Sequence, residues 1–142
     1  MSLNDIETEK ISELCELSKG ALSNAYCPYS KFSVGAALLT EDGRFFTGCN
    51  VENASYGLSV CAERTVIVKA VSEGCRKFKA LAIATSSKNE EVIGPCGACR
   101  QFIVEFGTNW NIYLIKTDGS FVKHSAAELL PFAFTPDSLS KV

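Results

Sequence analysis

Two short stretches carry residues whose types and spacing could do chemistry together: Cys61-Ala62-Glu63-Arg64 and Pro95-Cys96-Gly97-Ala98-Cys99-Arg100-Gln101. A structural zinc site fills all four positions with protein ligands, whereas a catalytic one keeps a position open for water. Cys61, Cys96 and Cys99 therefore predict a catalytic site holding one Zn2+ per chain. Glu63, two residues after the first thiol, is the group placed to move the protons of that water. Cys96 and Cys99 are three apart, so at the start of a helix both thiols lie on one side. Cys61 also falls at a helix start, where the helix dipole and unpaired N–H groups favour the thiolate that a metal needs.

Other uses of these thiols stay open on spacing alone. An isolated Cys-x-x-Cys also suits a redox pair or half of a four-thiolate structural site. A redox pair would not need Cys61-x-Glu63, and a structural site lacks an evident fourth ligand, although Cys15, Cys27, Cys49 or Cys75 could in principle supply one. The only histidine, His124, lies far along the chain in a predicted edge region. Three thiolates give the metal site a net negative charge, which makes its water less acidic than three imidazoles would. Arg64 offsets this if it donates to a ligand sulfur, as outer groups tune a metal. The alternative is an ordinary pairing with a surface carboxylate, and Arg100 reads as structural.

The elements that must position these residues follow from periodicity. Asn4 to about Ala25 predicts an amphipathic helix, with Asn4 and Glu7 as a capping pair and Ile11, Leu14, Cys15, Ser18, Leu22 and Ala25 on one face. Phe32 to Leu39 and Arg44 to Gly48 predict two strands joined by a Glu41-Asp42-Gly43 hairpin turn. Cys49 to Val60 is a polar loop leading into Cys61. Cys61 to about Glu73 is apolar on nearly every side, which predicts a buried helix. Phe78 to Thr85 predicts a central strand, Gly97 to Phe106 a helix stopped by Gly107, and Asn111 to Lys116 a fourth strand. A fifth spans Ser120 to Lys123, and Ser125 with Glu128 forms a capping box for a last short helix. Pro131 to Val142 shows no clear periodicity. This order predicts an α/β fold in one domain over 1–142: a three-layer α/β/α sandwich with a mixed central sheet of about five strands.

The whole chain narrows the function classes. With 142 residues, 46% hydrophobic and 21% charged, it has ordinary globular composition and can bury one core. A net charge of −2 and the absence of any Lys/Arg run argue against a nucleic-acid polymer as partner. The first ten residues have no apolar segment suited to a secretion signal, and no stretch approaches the ~20 apolar residues that span a bilayer. Seven cysteines, an odd number, suit thiols in a reducing compartment better than disulfides. A soluble, cytoplasmic protein with a small, near-neutral substrate and no membrane partner is expected.

Cys61-Ala62-Glu63 followed by Pro95-Cys96-x-x-Cys99 resembles the zinc-dependent cytidine deaminase signature. Cys27-Pro28-Tyr29-Ser30, Phe32 with Val34-Gly35-Ala36, the run from Gly48 to Tyr56, Cys99-Arg100-Gln101 and Glu128-Leu129-Leu130-Pro131 extend the likeness to the small, homotetrameric nucleoside type. The match covers essentially Ala25 to Ser138. It implies hydrolytic deamination of cytidine and deoxycytidine to uridine and deoxyuridine with release of ammonia, as in pyrimidine salvage. Hydroxide generated at zinc would attack C4 of the base, with Glu63 shuttling protons. The resemblance also implies that Asn50 and Glu52 bind the ribose, Phe32 stacks on the pyrimidine, and the backbone N–H of Ala62 binds the base carbonyl. It implies a homotetramer with sites at subunit interfaces, where Phe134 caps a neighbour's site and Tyr56 lies at the contact. Gly94 departs from the pattern, which more often has serine before Pro95-Cys96, and this bears on the rigidity of that loop.

Three other readings compete. A deaminase of a cytosine-nucleoside antibiotic such as blasticidin S shares the zinc motifs, but Asn50-x-Glu52 favours free cytidine. A polynucleotide-editing deaminase conflicts with the acidic pI near 5.4. A non-catalytic, zinc-stabilised binding protein would leave Glu63 without a task.

Overall fold

Alternation along three strands builds the two faces of one sheet. A computed structural model describes residues 6–88 and 91–140. In chain order the elements are α1 (Thr8–Ala21), β1 (Val34–Thr40), β2 (Phe45–Cys49), α2 (Ala62–Ser72), β3 (Phe78–Thr85), α3 (Gly97–Val104), β4 (Asn111–Ile115), β5 (Phe121–Ser125), α4 (Ala126–Leu129) and α5 (Pro136–Ser140). Short 3-10 turns occupy Leu22–Asn24 and Tyr56–Leu58. The strands lie in the order β2-β1-β3-β4-β5. Only β3 and β4 run parallel, joined through α3, and the other neighbours are antiparallel.

Successive side chains of a strand point to opposite faces. Ala36, Leu38, Leu81, Ile83, Ile112 and Leu114 pack with Val66, Ile67 and Ala70 of α2 and Ile103 and Val104 of α3. Ala37, Leu39, Ala80, Ala82 and Tyr113 face the other way, onto Leu14 of α1. The result is the mixed five-strand α/β/α sandwich. Helix α1 lies so close to β1 that a Cβ on Gly35 would come within 2.2 Å of the Ser18 carbonyl oxygen. Helix α2 also sits close on β2, where a Cβ on Gly48 would meet the Val66 backbone nitrogen at 2.8 Å. Those two contacts set the height of the helices that flank the site.

Several boundaries differ from the sequence expectation. Helix α1 begins at Thr8, with Glu7 at its N-cap and no side-chain capping bond; Asn4 lies outside the described residues. The helix gives way to 3-10 geometry at Leu22, well before Pro28. Helix α3 ends at Val104, and Phe106 and Gly107 close a tightened last turn through N–H bonds to the Ile103 and Val104 carbonyls. Strand β5 runs on to Ser125, directly into the capping box: Ser125 Oγ accepts from the Glu128 N–H at 3.1 Å and Glu128 Oε1 from the Ser125 N–H at 3.4 Å. The tail folds one further turn, α5.

Helix α2 is not buried all round. Val66, Ile67 and Ala70 are enclosed, but Val68 is 49% exposed and Lys69 is exposed, because α2 covers β1 and β2 with one face and has no protein on its outer side in the single chain.

Candidate active site

The site forms where two helix starts meet the end of the sheet. Cys61 is the N-cap of α2 and Cys96 the N-cap of α3. An N-cap residue leaves the helix path in extended geometry, which turns both thiols out of the helices and towards each other. Cys99, one turn into α3, is fully buried, and its N–H donates to Cys96 Sγ at 3.4 Å. The three sulfurs lie within 4.8 Å of one another, with Cys61 and Cys96 Sγ 4.0 Å apart. Among the described residues no fourth His, Cys, Asp or Glu joins them. Cys27 pairs with Ser33, Cys49 donates to the Asn24 carbonyl, Cys75 contacts Arg44, and Cys15 lies on α1. His124 sits on β5 against Glu128.

The electrostatics of the thiols are uneven. Hydrogen bonding from Cys99, and then from Arg64 against the cost of burial, lowers the Cys61 thiol to about 5. Cys99 is raised, first by its bond to Cys61 and then by burial. Arg64 Nη2 donates to Cys61 Sγ at 3.4 Å, so its guanidinium faces the sulfurs and not a surface carboxylate. Glu63 is only 4% exposed, and its Oε1 has no hydrogen-bond partner. Burial first, and then the charge on Cys61, raises its carboxyl above the ordinary value.

These groups open onto a cavity of about 270 Å³. Phe32, Asn50, Glu52, Cys61, Glu63 and Cys96 all line it. Asn50 is mostly committed to the backbone: its Oδ1 accepts from the Val34 N–H at 2.9 Å and its Nδ2 donates to the Phe32 carbonyl at 2.8 Å. It therefore holds Phe32 at the cavity mouth as well as reaching the cavity itself. Glu52 Oε1 accepts from the N–H groups of Tyr29 and Ser30 at 3.0 and 3.1 Å. Bonding to Ser30 leads the effects that hold its carboxyl below the usual range.

The family described as the cytidine and deoxycytidylate deaminase zinc-binding region matches residues 8–115. The chain belongs to this deaminase family. A cytidine deaminase from Sporosarcina psychrophila is 49% identical over 131 residues, covering 92% of this chain and 95% of the relative. The crystal structure of a cytidine deaminase from Burkholderia pseudomallei superposes with a TM-score of 0.83 at 45% identity, covering 91% of this chain and all of that one. That of the Mycobacterium tuberculosis cytidine deaminase gives 0.76 at 40% identity, over 92% of this chain and 98% of that one.

The donor set of this deaminase suits zinc. Tetrahedral coordination with Zn–S bonds of about 2.3 Å places sulfurs about 3.8 Å apart, close to the 4.0 Å between Cys61 and Cys96. A soft thiolate set selects such a metal over magnesium or calcium. The orphaned Glu63 Oε1 beside the thiols is the acceptor that a metal site with an open position would use.

Not every expected residue reaches the cavity in one chain. The Ala62 methyl is buried in the core, which leaves its contribution to the N–H at the first position of α2, where a helix has no internal partner. Tyr56 is 73% exposed and stacks against Tyr29 at 5.6 Å, beside a separate cavity that shares Ser30 and Glu52. Phe134 is 58% exposed, and its carbonyl accepts from Gln101 Nε2 at 2.8 Å. Sequence reasoning did not single out Ile83, Thr85 and Ile93, which also line the cavity. The position of Thr85 at the carboxyl end of β3 was the available signal, since crevices form outside strand ends in open α/β sheets.

Proposed function

We propose that this chain is a zinc-dependent cytidine deaminase that converts cytidine and water to uridine and ammonia, with deoxycytidine as an alternative substrate. One observation carries the reading: a carboxyl buried to 4% exposure, with an unpartnered oxygen, lines a nucleoside-sized cavity beside three converging thiols. Cys61, Cys96 and Cys99 would hold the metal, which when bound supplies the Lewis acidity that makes water a competent nucleophile near neutral pH. Glu63 would accept one proton from water and deliver it to N3 of the pyrimidine, then take the proton of the hydroxyl added at C4 and pass it to the amine, which leaves as ammonia as the C4 carbonyl forms. Its raised affinity for protons suits a group that must carry one between partners. Arg64 holds the Cys61 sulfur and offsets the negative charge of the thiolate set.

Phe32 stacks on the base, and the Ala62 N–H fixes the base carbonyl. Asn50 and Glu52 share the ribose hydroxyls, each retaining polar capacity beyond its backbone bonds. A homotetramer completes the site: the exposed apolar groups Val68, Leu58, Tyr56 and Phe134 would be covered by neighbouring subunits, with Phe134 closing a neighbour's cavity. Among the described residues no helix is long and apolar enough to cross a membrane. All seven cysteines are free thiols, which fits a cytoplasmic, reducing setting.

The test is ammonia release from cytidine by the purified protein, beside Glu63→Gln, with zinc determined in both. Turnover by the parent and near-silence from a variant that still holds zinc supports the reading. Absence of turnover by a zinc-loaded parent sinks it.

A further inference from the structure

Phe32, the ring at the cavity mouth, follows a turn that the backbone has reason to avoid. Lys31, immediately before it, has a φ of 60°. That left-handed conformation is disfavoured for any residue with a Cβ, and it persists where the surroundings over-determine it. Several bonds do so here. The Lys31 N–H donates to the Cys27 carbonyl at 3.0 Å. Glu52 Oε1 accepts the consecutive N–H groups of Tyr29 and Ser30 at 3.0 and 3.1 Å, an anion held in a backbone nest. Ser30 Oγ turns forward and accepts the Phe32 N–H at 3.0 Å. The Ser30 side chain also bonds the Glu52 carboxylate. From the other side, Asn50 Nδ2 donates to the Phe32 carbonyl at 2.8 Å. Phe32 is thus gripped at both of its own backbone polar groups, by Asn50 directly and by Glu52 through Ser30.

We infer that Ser30 is a positioning residue for the ring of Phe32, its hydroxyl joining that ring to Glu52 so that the group set for the ribose also sets the ring for the base. A hydroxyl has one proton to donate, and here it goes to Glu52 while a lone pair takes the Phe32 N–H. Ser30 lines the cavity, but with these bonds made it acts through its two partners. Sugar and base contacts then form one unit, and loosening the turn loosens both. The inference deepens the deaminase reading and rests on it for what Phe32 does to substrate.

The experiment is a double-mutant cycle on the zinc-loaded protein with Ser30→Ala, Phe32→Ala and the pair, beside Ser30→Thr. KM and kcat for cytidine, the thermal midpoint, and amide hydrogen exchange over residues 27–34 are measured for each. Loss of one hydrogen bond predicts a KM raised about three- to tenfold in Ser30→Ala. Its kcat should stay within about twofold, because a stacked ring holds ground and transition states alike. Exchange over 27–34 should quicken, since the Phe32 N–H loses its acceptor. Ser30→Thr should restore both quantities, because Ser30 is exposed and an added methyl has room. Once Phe32→Ala has removed the ring, Ser30→Ala should change KM by less than about twofold. Additive effects, a fall in kcat in place of the rise in KM, failure of threonine to rescue, or exchange equal to the parent's each overturn the inference. Exchange is read without substrate, so it decides the link from Ser30 to Phe32 even with a parent inert towards cytidine, an outcome that would end the deaminase reading by itself.

Discussion

Replacing Glu63 by glutamine separates chemistry from architecture more cleanly than any other substitution in this chain. Glutamine keeps the volume and shape of the side chain, and volume-conserving exchanges in a packed site cost less than about 1.5 kcal/mol. The parent carboxyl also carries a burden that glutamine lacks: at 4% exposure with Oε1 unpartnered, its charged form is disfavoured by burial. The variant should therefore unfold at a temperature no lower than the parent. Glu63 does not belong to the three-thiol cluster, so zinc content should stay at the parent level. Activity should behave in the opposite way. Each proton transfer by a positioned carboxyl is worth about 10²–10⁴-fold. Deamination needs two, to N3 and to the leaving amine, so kcat should fall by at least about 10⁴-fold. Coupled detection of released ammonia, metal analysis and a thermal melt on the same preparations measure all three quantities. Activity within about a hundredfold of the parent would remove Glu63 from the proton path. Loss of zinc in the variant would instead make the carboxyl a support of the metal, and the reasoning from its unpartnered oxygen would fail.

Removing zinc with a strong chelator should abolish turnover, and Zn2+ should restore it whereas Mg2+ should not, because three thiolates are soft donors; recovery with Mg2+ in metal-analysed samples would contradict this. Gly35→Ala should cost about 1–3 kcal/mol in urea unfolding through overpacking against α1, whereas Gly20→Ala, in open space on the same helix, should stabilise by about 0.5–1 kcal/mol. Val68→Asp should convert the proposed homotetramer to smaller species in sedimentation and lower activity with them; a sedimentation profile unchanged from the parent would show that the outer face of α2 is not a subunit contact. The bond from His124 leads the effects that lower the Glu128 carboxyl, so its contribution to stability is complete above the unfolded-state value near ~4.3 and is lost as pH falls through the lower folded value. Acid unfolding of Glu128→Gln, compared with the parent, should show a difference that shrinks across that window.

Local rules made much of the architecture readable. The apolar run Phe78–Thr85 and the Ser125–Glu128 capping box coincide with β3 and the start of α4, because a buried strand and a reciprocal cap depend on residues that are neighbours in the chain. The start of α1 and the exposure of Val68 were not readable in the same way. A capping pattern has several possible starts, and an apolar helix does not say whether its own chain or another will cover it.

The site divides along the same line. Ligand chemistry is a property of residue type, so Cys61, Cys96, Cys99 and Glu63 could be named from their spacing and from the resemblance that spacing supports. The order β2-β1-β3-β4-β5 then decides that the starts of α2 and α3 face one crevice. Only the tertiary structure could show that Asn50 spends most of its amide on the backbone around Phe32, or that Arg64 turns to sulfur. It alone shows Arg100 donating to the carbonyls of both Pro95 and Leu129. The sequence by itself determined which groups can bind a metal or carry a proton, because those are covalent properties of side chains. Direction, burial and partnership arise from segments far apart in the chain closing on one another, as Cys61 and Cys96 do across 35 residues and β1 and β3 across still more, and such distances exist only once the chain is folded.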